Sequence, residues 1–387
     1  MGEARSQYAT VPWVIAWKAD HTPDPVERLR YLRSASQRTA AERSGVWLFA
    51  RCALRAGRAG MAAGSLLLLF ATDGRNASHG ASNPAPAHAP HEAGLAASAQ
   101  DVAEPARAVW LVERSDEYDV FSNGLRVDGK YVVANRPRCY RALDRRAGAT
   151  AASIERTAPA GIVYHTTESH QAPFEEDYGV ALRRAGMSLL EYVRHRRAYH
   201  FLIDRFGRVF RVVRETDTAD HAGHSVWADD NWIFVGLNAS FLGVAFEART
   251  PEVNPAQVHS ARLLTGMLRA KYHIAASNCV THAQVSVNPG NRRMGYHTDW
   301  AMGFPFAQIG LPDNYRETPA SFALFGFAYD AYLVRAAGGA AWSGLVEGQR
   351  DLDRRAEAAG MPLARYRATL QQRYREALAV IENAARP

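Results

Sequence analysis

Between residues 130 and 272, short apolar runs that read as strands alternate with stretches of helical spacing, and this alternation constrains the fold most. Lys130-Tyr-Val-Val-Ala reads as a strand, and Ile162–His165 as a short, almost continuous apolar one. Over 177–197 the apolar residues Val180, Leu182, Met187, Leu190 and Val193 recur at helical spacing. Tyr199-His-Phe-Leu-Ile-Asp-Arg-Phe-Gly-Arg-Val-Phe-Arg-Val-Val comes next as two strands joined by a turn that uses Gly207, and 241–247 is another strand. Asn254 and Pro255 have the chemistry of a helix cap and first helical position, and Val258, Leu264, Met267 and Leu268 give that helix an apolar face. Residues 279–282 read as a short strand or extended entry into a loop. Strands interleaved with helices predict an α/β fold with a mixed central β-sheet flanked by helices. Beyond Pro319 the pattern is helical, over 320–337 and again over 347–385, which predicts a helical C-terminal extension.

The sequence upstream is of a different kind. Residues 1–58 form an Arg-rich N-terminal extension, and 59–72 run uncharged through Leu66-Leu-Leu-Leu-Phe. That length suits an export signal or short membrane anchor better than a full span, and Arg51, Arg55 and Arg58 precede it as export would require. A buried helix is the alternative. Residues 73–107 are rich in Ala, Pro, Ser and His and lack aromatics, so they read as a linker. The expected organisation is therefore extension, apolar segment, linker, an α/β domain over 108–318 and helices over 319–387. The net charge of +7 suits an anionic polymer or membrane surface, while no nucleic-acid-binding motif is recognisable. Three cysteines form no short-spaced metal-binding pair; Cys139 and Cys279 are either a disulfide in an exported domain or two buried thiols.

The chemistry concentrates in 282–306, where Asn288, Pro289, Gly290 and Gly295 mark loop and His282, His297 and Asp299 offer metal-binding or proton-handling groups. His165, at the end of its apolar strand, is a distant partner able to complete a site. Three protein ligands that leave a position for water make a hydrolytic zinc site, and His165, His282 and Asp299 are ligands of the right type. In extended chain His297 would share a face with Asp299, as oxyanion donor or as ligand in its own right; spacing leaves both open.

Taken in order, these segments resemble the zinc-dependent N-acetylmuramoyl-L-alanine amidases, the type 2 amidase and peptidoglycan-recognition family. Ile162-Val-Tyr-His-Thr-Thr is similar to the family's first strand with its zinc histidine, and the Tyr199 hairpin to the one after it. His221-Ala-Gly resembles the loop beside the substrate groove, 241–247 the central strand, and Thr281-His282 with Thr298-Asp299 the closing loop. The resemblance covers about 155–315. It implies one zinc held by His165, His282 and Asp299, and substrate contacts from His221, Tyr199 and Trp227. It also implies hydrolysis of the amide between N-acetylmuramic acid and L-alanine in peptidoglycan, at the cell envelope, with peptidoglycan or muropeptides as partners; the apolar run 59–72 adds an expected export signal or membrane tether. The sequence departs from the family at two places. His297 stands where many relatives have an oxyanion-stabilising lysine, and Ala245 stands where an acid is usual, which leaves Glu247 or Glu168 as the base. The alternatives are a peptidoglycan-binding module without catalysis, or a zinc hydrolase of another amide.

Overall fold

The computed structural model describes residues 108–146, 153–169, 172–249, 253–329 and 331–384. The expected extension, apolar segment and linker lie outside the described residues, as does Cys52. Among the described residues no helix is long and apolar enough to cross a membrane.

The centre of the fold is a pair of parallel strands, β6 (Gly161–Thr166) and β11 (Phe241–Phe246), every residue of which is buried. Burial on both faces explains why each reads as a continuous apolar run instead of an alternating one. Around them an eight-stranded mixed sheet runs in the order β1 (Leu111–Arg114), β2 (Tyr118–Phe121), β3 (Arg126–Asp128), β8 (Val209–Arg211), β7 (Phe201–Ile203), β11, β6, β12 (Cys279–Thr281). The expected mixed α/β architecture is what forms. A second, antiparallel sheet orders β5 (Ser153–Arg156), β4 (Tyr140–Asp144), β10 (Trp232–Val235) and β9 (Val226–Ala228). The expected strand at 130–134 is only an isolated bridge, from Val133 to Val213.

Two helices cover the two faces of the central sheet. Helix α1 (Gly179–Arg196) buries Leu182, Gly186, Leu190 and Val193, spaced by four, four and three, and packs the last two with Leu202 and Ala245. Val180 and Met187, expected on that face, are exposed instead, because the buried stripe runs through Gly186. A short helix, α2 (Leu237–Ser240), leads into β11. Helix α3 (Pro255–Tyr272) starts as expected: the Asn254 side chain accepts the Gln257 N–H and Gln257 returns the bond to the Asn254 backbone. Its Ala261, Leu264, Met267 and Leu268 pack with Ile162, Tyr164, Leu242 and Phe246 on the opposite face from α1. Cys139 is exposed and Cys279 buried, both as free thiols, and burial pushes Cys279 up to about 12. The disulfide alternative is therefore not what forms.

After β12 the chain makes the one-turn α4 (His282–Val285) and a loop with the two-residue strand β13 (Arg293–Met294). The continuous helix expected over 320–337 is in fact α5 (Ala320–Ala323), β14 (Ala328–Tyr329) paired parallel with β13, and α6 (Ala331–Ala336). Gly326, in the left-handed region at φ 62°, lets the chain turn from α5 towards β14. The last stretch forms α7 (Ser343–Ala358) and α8 (Leu363–Ala384), separated at Gly360 with φ 61°.

Candidate metal centre

His165 lies near the carboxyl end of β6, and His282 immediately follows β12, the parallel neighbour of β6 on its outer side. Register brings the two together: Thr281 pairs with Tyr164, so the next residues, His282 and His165, lie side by side with ring centroids 4.5 Å apart. Carboxyl ends of adjacent parallel strands are where open α/β sheets place their sites. Asp299 arrives from the loop after β13, in a turn closed by the Ala301 N–H donating to the Thr298 carbonyl. Its carboxylate spans both imidazoles, with Oδ1 2.8 Å from His282 Nδ1 and Oδ2 3.2 Å from His165 Nδ1. All three residues are buried, and their ligand atoms lie within 4.8 Å of one another. Among the described residues this is the one such cluster.

Proton accounting shows that the cluster suits a cation. The Phe241 carbonyl, 3.3 Å from His221 Nε2, only accepts, so the network places the proton of His221 on Nε2. Burial, followed by the neighbouring imidazoles of His165 and His200, holds His221 far below its ordinary value and hence neutral. Its Nδ1 is then an acceptor and takes the Nε2–H of His165, 3.0 Å away. His165 is also neutral, lowered to about 4 by burial and by His282 despite the opposing pull of Asp299. Its Nδ1 lone pair therefore points at a carboxylate oxygen. Burial opposes ionisation of Asp299, but His282 and His165 outweigh it and hold the carboxyl well below the usual range. Two lone pairs facing one another across 3.2 Å call for a positive charge between them. His282 Nε2, in addition, is buried with no hydrogen-bond partner among the described residues. Two imidazoles and one carboxylate form a donor set that zinc accepts.

His221 thus lies behind His165 with both ring nitrogens engaged, and is not a groove residue as expected. Gly243 makes this position possible: a Cβ there would come within 2.6 Å of the His221 ring. His200, to which the sequence assigned no role, fixes that glycine by accepting its N–H on Nδ1 at 2.9 Å. Trp227, also expected at the substrate, is buried in the core and gives its N–H to Asn278. It has no face to offer a sugar. Tyr199 sits against His165, centroids 5.0 Å apart, with its backbone at φ 61°, and burial followed by the Asp299 charge raises its phenol.

His297 is half-buried and stacks nearly parallel on His282, centroids 4.5 Å apart. Its backbone is tied at both ends of the residue by the Ser286 hydroxyl, which accepts from the N–H and donates to the carbonyl. The two candidate bases differ sharply. Glu247 is buried below α1, where Gly186 leaves it room, and accepts the Arg205 N–H. Burial raises it to about 7, and the charges acting on it are those of Asp204, Arg205 and Arg208. Glu168 lies open to solvent at φ 47°, its carboxyl raised by partial desolvation and then by the negative charge of Asp299. Of the two, Glu168 is the one whose ionisation feels the cluster.

Residues 155–295 match the sequence profile of Amidase_2, N-acetylmuramoyl-L-alanine amidase. Over this segment the chain matches the type 2 amidase family. Its enzyme class is accordingly that of the N-acetylmuramoyl-L-alanine amidases. Solved structures similar to it include the amidase LysC from Clostridium intestinale URNW, at 24% identity over 46% of this chain and 93% of that one, TM-score 0.25. AmiD from E. coli, in complex with an anhydro-N-acetylmuramic acid peptide, is 24% identical over 44% of this chain and 64% of its own, TM-score 0.29. AmpDh3 from Pseudomonas aeruginosa is 20% identical over 41% and 63%, TM-score 0.30. At such TM-scores these likenesses say nothing about function. No curated protein matches the chain.

Proposed function

We propose that this protein is a zinc-dependent amidase that cleaves the bond between the lactyl group of N-acetylmuramic acid and L-alanine in peptidoglycan. The observation that carries this reading is the buried meeting of His165, His282 and Asp299, which lies in or beside the family segment and brings three ligand atoms within 4.8 Å of one another. Bound there, zinc would acidify a water molecule and polarise the scissile carbonyl. The protein's own part is to hold three donors in place without a proton on His165 Nδ1, a condition set by His221. Glu168, beside the cluster and raised from its ordinary value, takes a proton from the attacking water and returns it to the leaving amine. His297, stacked on His282, donates an N–H to the developing oxyanion. A net charge of +7 suits an anionic wall, and export through 59–72 would bring the domain to it.

A second reading has one observation in its favour. Ala245, at the strand position where an acid is usual, is wholly buried under α1, consistent with a module that binds peptidoglycan without cutting it. One experiment separates the two. Zinc content and release of peptide stems from purified peptidoglycan are measured for the full chain and for His282→Ala. About one zinc per chain together with stem release, both lost in the variant, is the expected outcome. Zinc without release would favour the binding module, and a folded wild-type chain without zinc would remove the basis of both.

A further inference from the structure

We infer that the C-terminal segment 320–384 is a clamp on the loop that carries Asp299, and that the Trp342 indole N–H is a positioning group for that ligand. The inference rests on the reading of Asp299, His165 and His282 as a zinc site. It concerns residues outside the family segment, to which the sequence assigned no role.

Asp299 sits in a tight turn next to Trp300, a buried residue whose backbone is in the left-handed region at φ 58°. A bulky residue holds that conformation only where its surroundings over-determine it. The restraints are visible. The Tyr315 hydroxyl donates to the Trp300 carbonyl at 2.6 Å, and Trp342 Nε1–H donates to the Ala301 carbonyl at 2.8 Å. The two donors are themselves stacked, ring centroids 5.2 Å apart and 27° from parallel. The two carbonyls immediately following that of Asp299 are therefore held by one aromatic pair, half of which comes from the C-terminal segment.

The same segment grips the loop further upstream. β14 pairs with β13, and the Arg293 guanidinium donates to the Tyr329 carbonyl at 3.1 Å. Leu333 lies over Gly295, at φ 76°, so closely that a Cβ there would meet it at 2.7 Å. Ala283, next to His282, and Ala301, two residues after Asp299, share one apolar cluster with Phe322, Leu333, Trp342 and Leu345. The floor beneath both ligand-bearing segments is thus built by residues beyond 319.

The test uses the full chain as wild type, Trp342→Phe and Tyr374→Leu. Phenylalanine keeps most of the ring stack and removes the N–H. Tyr374 packs on Phe325 and Phe327 in the cluster that holds Val287, separate from the one that holds Ala301 and Trp342, so its variant lowers stability without touching the Asp299 turn. Zinc affinity is read by competition with a chelator, stability by thermal unfolding, and loop order by hydrogen exchange of the Ala301 amide in metal-free protein. Trp342→Phe is expected to weaken zinc binding about tenfold, the usual loss when a group behind a ligand is removed, and to speed exchange at Ala301. Tyr374→Leu is expected to lower the melting temperature while leaving zinc affinity within about twofold, since distant sites act independently. Should Trp342→Phe fail to fold, exposed Arg293→Gln takes its place, with an expected loss of about threefold for one hydrogen bond. Wild-type affinity in Trp342→Phe, or in Arg293→Gln where that takes its place, or an equal loss in Tyr374→Leu, overturns the inference. A wild-type chain that takes no zinc overturns the metal reading itself, and with it the role of Trp342 towards a ligand.

Discussion

At the scale of single residues, the two glutamates make opposite predictions. Glu168 feels the charge of Asp299, and Glu168→Gln removes the group proposed to move the proton; turnover should fall by about 100-fold or more with zinc content unchanged. Steady-state kinetics with metal analysis decides it, and unimpaired turnover would eliminate Glu168 as the base. Glu247→Gln should leave turnover nearly intact and change stability instead. Its folded pKa of about 7 lies above the ordinary 4.5, so between those values the native state keeps a proton that the unfolded chain has lost. Native protein thus binds more protons there, and stability falls as pH rises from 4.5 to 7, then stays level. Glutamine carries no such penalty and can still accept the Arg205 N–H. The variant is expected to gain up to about 3 kcal/mol over wild type at about pH 8 and little at about pH 4. Denaturant titration at the two pH values measures this, and equal differences at both would show that Glu247 is not the titrating group.

At the scale of elements, the start of α3 depends on one side chain. Asn254 accepts the Gln257 N–H and also donates to the Arg205 carbonyl, joining the start of α3 to the β7–β8 turn. Asn254→Ala should therefore cost about 1 to 2 kcal/mol, with zinc binding unaffected; a loss below about 0.3 kcal/mol would mean that water replaces both bonds. This cap was readable in the sequence because it is local: Asn, Pro and Gln at fixed offsets before an apolar stripe. β6 and β11 were readable for the same reason, as unbroken apolar runs. His165, His282 and Asp299 were candidates by residue type and by their loop or strand-end context, but 134 residues separate His165 from Asp299 in the chain, and the family's order of motifs was what joined them into one site. What stayed hidden depends on packing between distant segments. Nothing local marks His221 as lying behind His165; the one trace is Gly243, whose missing Cβ makes room for the ring. Likewise the 320–337 stretch has helical composition, but pairing of Ala328–Tyr329 with the loop strand overrides it.

At the scale of the whole molecule, the expected boundary at 318 cuts through a shared interior. Leu143 of β4, Val226 of β9, Ile233 of β10 and Val287 of the loop are buried in one cluster with Phe325, Phe327, Tyr374 and Ala377. Ala283, Met294 and Ala301 are buried in another with Phe322, Leu333, Trp342 and Leu345. Removing everything after 318 would expose the first partner of each pair to water. Each fully exposed aliphatic side chain forfeits about 1.5 to 3 kcal/mol, and a typical domain's entire stability is about 5 to 15 kcal/mol. Losing several at once therefore exceeds what the remaining fold can supply. A chain ending at 318 should be insoluble, or soluble without a cooperative thermal transition, and should not hold zinc. Addition of a separate 319–387 peptide should not rescue it efficiently, because ordering α5 to α8 from a free chain costs about 1 to 2 kcal/mol per residue before any contact forms. A soluble 1–318 chain that melts cooperatively and binds zinc as tightly as the full protein would show that the α/β unit is self-sufficient and the C-terminal helices an appendage. The burial of Ala283, next to His282, and of Ala301, in the turn that holds Asp299, argues the reverse: the candidate metal centre and the C-terminal helices stand on one core.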